Sequence, residues 1–568
     1  MWLAGIETFQ NVYIGVLRWL MPALTLILVL RCIKPLLFFR REPEIWAWLC
    51  LEDGQKIPIT HWENVIGRHR KSDIVINEPS VSRTHAVFTR YDDGSWTVTD
   101  AHSSGGVLVN GQAVQIHPLE PQDVIKMGNV KMKLQPISQK QEKRLAELRS
   151  GSSSFIGSFL NVVLLTVIQL MCAVAFLMQA SAAEFRTVLL GFGGILILQW
   201  LLLLFNVCIQ RTAFEVETIA FLLTTFGMAA IATVVPGEAV KQLLSMMVGL
   251  VAFLVIGWSL RDLERAKQIR KFAAVMGIGF LLFTLVFGTE INGAKAWVSI
   301  GGMSLQPSEL SKVCFVFVGA SAMERIVTKR NLIMFIAYSV IICGCLALMN
   351  DFGTALIFFC AFLVIAYLRS GSVGTLGLAI TALVFAGVVV LKFAPHAVSR
   401  FASWRHIWED QWDTGFQQTQ SLMCMAAGGF LGVGPGRGVM GGKVFAADSD
   451  MVIATLSEEW GLLMVLMMVL CVIALGIFSV RSAIVGRSSF FTISSCAACS
   501  IMLVQVILNG LGTVDIVPLT GVTFPFLSNG GSSMICAWGL LAFIKAADTR
   551  QNASFAVRVN KNRGDADE

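Results

Sequence analysis

The stretch Trp408–Ser421, WEDQWDTGFQQTQS, places three carboxylates, Glu409, Asp410 and Asp413, close together and sets Trp408 and Trp412 beside them. A carboxylate in a partly apolar, tryptophan-lined loop suits proton transfer, because desolvation raises its pKa towards useful values. Other charges stand where apolar runs end. Glu309, Asp351 and Glu459 lie at such edges, and a carboxylate at membrane depth is as a rule functional or paired. Lys312 follows Glu309 by one helical turn, so these two can pair with each other. Lys295, Arg400 and Arg405 can meet an anionic substrate group or a lipid headgroup. Each loop acid also has a plainer reading: Glu409 as a solvated charge, Asp413 as a cap or turn, Asp410 as a loop acid. The glycines of GGFLGVGPGRGVMGG (428–442) suit a phosphate cradle or close loop packing.

The elements that must position these groups are apolar. The chain has 568 residues, 55% hydrophobic and 14% charged, with mean hydropathy +0.69. That excludes an ordinary soluble domain and indicates a polytopic α-helical membrane protein. About thirteen apolar runs, from 16–38 and 155–180 to 451–480, 490–510 and 531–546, approach the ~20 residues needed to cross a bilayer. Three segments are strongly basic: Arg261, Arg265, Lys267, Arg270 and Lys271; Arg325, Lys329 and Arg330; and the tail with Lys545, Arg550, Arg558, Lys561 and Arg563. The positive-inside rule assigns all three to the cytoplasm. Thirteen spans then put the C-terminus and the polar region after Arg41 inside, and the N-terminus and 393–450 outside. The thirteen cysteines, including the pair Cys496 and Cys499, read as small hydrophobes in helix packing. Histidine is scarce, which argues against a structural metal site. The first run lacks a small-residue cleavage site and reads as a retained span.

Between residues 41 and 150 the character changes. Alternating segments such as SWTVTD and GVLVNG, punctuated by Gly, Asp and Asn, indicate short strands of a β-sandwich. Gly67-Arg68, then SRTH (82–85), then DAHSSGGVLVNG (100–111) resemble, in that order, a forkhead-associated (FHA) domain over about 45–135. The resemblance implies a cytoplasmic phosphothreonine-binding module. Arg68 and Ser82 would hold the phosphate, Arg83 and Ser104 would assist, and His85 would brace the loop. A guanidinium converging with hydroxyls is the chemistry a phosphate needs. Gly105 departs from the pattern, standing where the family usually has an Asn that grips the peptide backbone.

Five further motifs follow in order: NGAKAWVSIGGMSLQPSELSK (292–312), NDFGTALI (350–357), the acid loop, DSDMVIATLSEEWGLL (448–463) and NGLGTVDIVPLTGVTFPFLSNGGSS (509–533). Together they resemble the SEDS cell-wall glycosyltransferases of the RodA/FtsW type. The implied organisation is an N-terminal helix (1–40), the FHA domain (41–137), a linker (138–154), two added helices (155–210), a ten-helix core (211–548) and a cytoplasmic tail (549–568). The implied activity is polymerisation of lipid II into a growing glycan strand on the outer membrane face, beside a class B penicillin-binding protein transpeptidase. Carried over by its spacing before Gly415-Phe416-Gln417, Asp410 is the catalytic base. Asp413 is its rival, because Gln411 and Asp413 stand where the family has Pro and often Gly. Lys295, Trp297, Glu309, Lys312, Arg400, Gln417, Asp450, Glu459 and Ser532 are further catalytic or substrate-binding candidates. A divalent cation, Mg or Mn, is compatible with the pyrophosphate. The competing readings are a lipid II flippase and a non-catalytic division or elongation scaffold. Nothing points to nucleic acid.

Overall fold

The computed structural model describes residues 2–38, 44–70, 72–91, 94–137, 155–261, 263–291, 293–300, 303–322, 329–370, 373–393, 398, 401, 404–409, 411–413, 415–439, 441–550 and 553–554. Among the described residues, ten helices are long and apolar enough to cross a membrane. The first helix, α1 (Trp2–Leu37), starts well before residue 16. It runs through Glu7, Thr8, Gln10 and Asn11, polar residues at which hydropathy alone ends the run. It packs with α2 (Phe155–Leu177), and both lie on α4 (Glu215–Val234), as does α3 (Phe185–Cys208). Every residue of α4 from Glu215 to Ile231 is buried, the mark of a central helix.

The rest of the bundle comprises α5 (Ala239–Ser259), α6 (Leu263–Phe287), α7 (Pro307–Ala322), α8 (Lys329–Leu348), α9 (Phe352–Ser370) and α10 (Val373–Phe393). After the acid loop come α11 (Phe416–Gly428), α12 (Val452–Trp460), α13 (Leu462–Ile484), α14 (Ser489–Thr513) and α15 (Gly531–Ala546). The run 451–480 is therefore not one span. It breaks at Gly461, whose φ of +84° disfavours any side chain, and where a Cβ would sit 2.4 Å from the Phe430 carbonyl. A small antiparallel sheet of strands 289–291, 294–300 and 303–305 joins α6 to α7. The sequence reading had no strand here, although AKAWVSI alternates, with Ala296 and Val298 buried.

The polar region is the expected β-sandwich. One sheet orders strands 56–59, 47–51, 130–136, 124–127, 107–109 and 112–114; the other orders 74–75, 63–67, 86–90, 96–100 and 116–119. Trp96, Val98, Val107 and Val109 point into a core of its own. Asn110 and Gly111, both at positive φ, make the two-residue turn that pairs Val109 with Gln112.

This sandwich is docked on the bundle. Trp62 belongs to the bundle's apolar core and packs edge-on against Phe491 at 5.8 Å. Its backbone N–H donates to the Arg487 carbonyl at 2.7 Å. His61 Nδ1 bonds the Gly486 carbonyl at 2.6 Å. The Arg487 guanidinium forks onto Glu44 at 2.8 and 3.1 Å and reaches the Asp548 carbonyl at 3.1 Å. Hydrogen bonds to charged groups contribute ~1.5–3 kcal/mol each. Arg487→Ala is therefore expected to loosen the docked face, read as faster hydrogen exchange over 44–62 with the sandwich interior unchanged. Equal exchange in the two proteins would show the docking to rest on His61 and Trp62.

The bundle thus has two unlike ends. The sandwich, the α13–α14 connection and residues 545–550 share one, with Arg550 paired to Glu215 at 3.2 Å and Lys545 to Glu217 at 2.9 Å. The acid loop, the 289–305 sheet and the 514–530 segment share the other.

Candidate active site

The acid loop is pinned on both flanks. Before its acids, the Arg405 N–H donates to Asp515 Oδ2 at 3.0 Å, and Trp404 Nε1 donates to the Ile516 carbonyl at 3.2 Å. Arg405 and Asp515 both adopt left-handed backbone, φ +64° and +58°, at a cost of ~1–2 kcal/mol per residue. Burial pushes the Asp515 carboxyl up, against the Arg405 N–H and guanidinium that pull it down. After the acids, Gly415 lies so close to Ile407 that a Cβ would stand 2.3 Å from its carbonyl. Asp410 itself and Arg400 lie outside the described residues. Glu409 pairs with His406 Nδ1 at 3.2 Å in the open. Asp413 is exposed, and its carbonyl accepts the Phe416 N–H at 3.2 Å as α11 begins. The two tryptophans face outward, Trp408 57% and Trp412 82% exposed. They do not desolvate the loop as the sequence suggested; exposed indoles of this kind suit a membrane–water boundary.

Motifs far apart in sequence meet at this end. Lys312 and Glu309, buried in the first turns of α7, pair at 2.5 Å. The Gln306 amide donates to Asp351 Oδ2 at 3.2 Å, and its backbone N–H donates to Ser532 Oγ at 3.1 Å. Asp351 caps α9 by accepting the Thr354 N–H at 3.1 Å. Next to Ser532, the Ser533 and Thr523 hydroxyls bond at 2.8 Å. Asn529 donates to Asp448 Oδ2 at 2.7 Å and to Glu238 Oε2 at 3.0 Å. Asn509 holds the Asp450 and Val522 carbonyls at 2.8 and 2.7 Å. The N-termini of α7, α9 and α15 are joined by these bonds, and helix N-termini favour anions. Lys295 is committed elsewhere: its ammonium donates to the Leu285 carbonyl near the end of α6 at 2.7 Å. Trp297 is half-buried in the adjoining strand, and Gln417 lies in the first turn of α11.

The glycine-rich run serves packing. Val439 and Gly441 donate their N–H groups to the Glu458 carboxylate, each at 2.7 Å. Val433 and Gly434 donate to the Glu458 and Glu459 carbonyls at 2.8 and 2.9 Å. A Cβ on Gly428 would lie 2.0 Å from the Ser457 carbonyl. Glu459 Oε2 accepts the Thr233 hydroxyl at 3.0 Å. The added helices reach the same run. Gln179 donates to the Pro435 carbonyl at 2.8 Å, and Arg437 bonds Asn11 of α1. Among the described residues no three His, Cys, Asp or Glu side chains form a set that fits a divalent cation.

On the sandwich, Ser82 and Ser104 hydroxyls meet at 2.9 Å beside the exposed Arg68 and Arg83. His85 is fully buried beneath them. Its Nδ1 accepts the Ser82 N–H at 3.0 Å, so Nε2 carries the proton and donates to the Gly106 carbonyl at 3.0 Å. Gly67 permits the approach of the two loops, because a Cβ would lie 2.2 Å from the Arg83 carbonyl.

Residues 233–553 match the FtsW/RodA/SpoVE family of cell cycle proteins, more than half of the chain. The chain belongs to that family. Residues 64–128 match the FHA domain. The peptidoglycan glycosyltransferase RodA of Mycobacterium tuberculosis is 31% identical over 333 residues, 54% of this chain and 69% of that protein. The probable peptidoglycan glycosyltransferase FtsW of Coxiella burnetii is 33% identical over 277 residues, 45% of this chain and 73% of that one. A solved chain from a peptidoglycan synthase complex is 22% identical, covering 60% of this chain and 98% of that one with a TM-score of 0.49. This FtsW/RodA/SpoVE member is a multi-pass membrane protein carrying an FHA domain. Its α1, α2 and α3, and α4 up to residue 232, lie before the family match.

Sequence reasoning missed Glu238, Gln306, Asp448, Asp515 and Asn529 as site residues. Asp448 and Asn529 sit inside motifs that were recognised, and polar residues within apolar surroundings were their signal. Gln306 and Asp515 also sit inside recognised motifs, 292–312 and 509–533, while Glu238 had no such signal and its partner Asn529 is distant in sequence.

Proposed function

We propose that this chain is a peptidoglycan glycosyltransferase that polymerises lipid II on the outer face of a bacterial cytoplasmic membrane. The observation that carries the reading is the convergence of residues 306–312, 351–354, 448–450 and 523–533 into one polar cluster, at the end of the bundle that holds the pinned acid loop. The relatives' names supply the chemistry. The acceptor hydroxyl attacks the anomeric carbon, Asp410 takes its proton, and the bond to the undecaprenyl pyrophosphate breaks. Negative charge then grows on the leaving group, where Lys312 and the joined helix N-termini stabilise it. Asp413 and Arg400 are loop partners in this scheme. Purified protein given labelled lipid II, with and without a class B penicillin-binding protein transpeptidase, is expected to yield glycan polymer. No polymer in either arm, with lipid II instead crossing vesicle bilayers, would favour the flippase.

The basic residues Arg261, Arg265, Arg270, Arg369, Arg487, Lys545 and Arg550 support placing the sandwich end in the cytoplasm. A cysteine at Thr414 should then be labelled from outside and one at Lys267 should not; the reverse pattern overturns the orientation. In this arrangement the FHA domain cannot touch the sugars. Its role is recruitment or control by a phosphothreonine protein that docks at Arg68, Ser82, Arg83 and Ser104, and Arg68→Ala should abolish retention of phosphothreonine peptides.

A further inference from the structure

A cavity of about 560 Å³ separates part of the FHA domain from the bundle, within the ~300–1,000 Å³ of ordinary ligand sites. His69, Ser72 and Thr84 line its FHA side; Arg369, Ser488 and Thr492 line its bundle side. The FHA wall is the flank of the phosphate loops themselves. His69 follows Arg68, and Thr84 follows Arg83. The His69 N–H donates to the Arg83 carbonyl at 3.1 Å, and the Ser72 hydroxyl reaches the same oxygen at 3.4 Å. The cavity therefore begins where those loops end. Its two walls are held in register by Trp62, His61 and the Glu44–Arg487 fork. Gly105 carries no side chain beside Ser104, although a Cβ there would meet only His85 Cε1, at 3.9 Å.

We propose that the phosphopeptide site is composite: phosphothreonine sits at Arg68, Ser82 and Ser104, and the adjoining peptide runs into the cavity, with the transmembrane bundle as its second wall. The proposal rests on the phosphothreonine reading given above. An extended peptide presents N–H and C=O groups alternately. The Ser72 and Thr492 hydroxyls donate to the Arg83 and Ala483 carbonyls and keep lone pairs that suit a peptide N–H, while Ser488 Oγ accepts the Phe490 N–H and has its own proton to offer a peptide carbonyl. Arg369, within electrostatic reach of Glu63, adds a guanidinium to the bundle wall. A ligand seated this way touches both bodies at once, and residues on one side of the phosphothreonine set its selectivity.

The test uses the full chain in nanodiscs, a fluorescent degenerate phosphothreonine peptide library, and free phosphothreonine as competitor. Ser370 lines the bundle side of the cavity. Ser370→Trp is expected to weaken library binding about tenfold without changing competition by free phosphothreonine. Independently, a photo-reactive residue next to the phosphothreonine should crosslink the unaltered protein at 369–370 or 488–492. Crosslinks confined to 68–105 overturn the composite site, as does a folded Ser370→Trp that binds the library normally. If the unaltered protein binds no phosphothreonine peptide, the underlying reading fails, and the composite site with it.

Discussion

Asp410→Asn is expected to lower lipid II polymerisation by ~10²–10⁴, the usual contribution of a general base, in protein that remains folded and inserted. The described residues on both sides of Asp410 are tied down. Trp404 and Arg405 tie one flank to residues 515–516, and Gly415 locks the other against Ile407. Two left-handed non-glycine residues, Arg405 and Asp515, face each other at the first tie, and backbone strain of this kind persists where surrounding structure holds it. Asp413 is the control. What it supplies structurally is a backbone carbonyl for the Phe416 N–H, which asparagine retains. Asp413→Asn should therefore stay within several-fold of the parent rate. Initial rates with labelled lipid II decide: loss in Asp413→Asn alone transfers the role of base to Asp413, and full activity in both removes this loop from the chemistry.

What the sequence made legible followed from period and local chemistry. The strand at 96–100 alternates in sequence and in burial alike, the all-apolar strand at 107–109 alternates in burial, and Asn110-Gly111 announces its turn. The pairing of Glu309 with Lys312 needed only one turn of helix. What escaped depends on distance along the chain. Asp515 meets Arg405, Asn529 meets Glu238, and Arg487 meets Glu44; no window of sequence holds both members of any of these pairs. The break at Gly461 was passed over although Glu458 and Glu459 stand directly before it, because the rest of α12 and all but the end of α13 are apolar or small. The two tryptophans of the acid loop misled for the opposite reason. A side chain's type says that it can shield a carboxylate, and only the fold says which way it points.

Lys312→Met is expected to be the most damaging change in the polar cluster. The ammonium is wholly buried, 2.5 Å from Glu309 Oε1, and Asp351 is close enough to feel both charges. Removing one partner of a buried pair costs ~3–5 kcal/mol, because the other charge is left without compensation. Thermal unfolding of the solubilised protein should fall accordingly. The combination Glu309→Gln with Lys312→Met separates structure from function. It removes the stranded carboxylate, so stability should return most of the way, the non-additivity expected of residues in contact. Polymerisation should not return with it, because the positive charge proposed to face the departing pyrophosphate is still missing. Recovery of both would make the pair a packing device in α7 and would move anion binding to the joined helix N-termini alone. Recovery of neither would mean that Asp351, rather than Glu309, is the charge Lys312 chiefly offsets; Asp351→Asn combined with Lys312→Met should then restore the stability that the first combination did not.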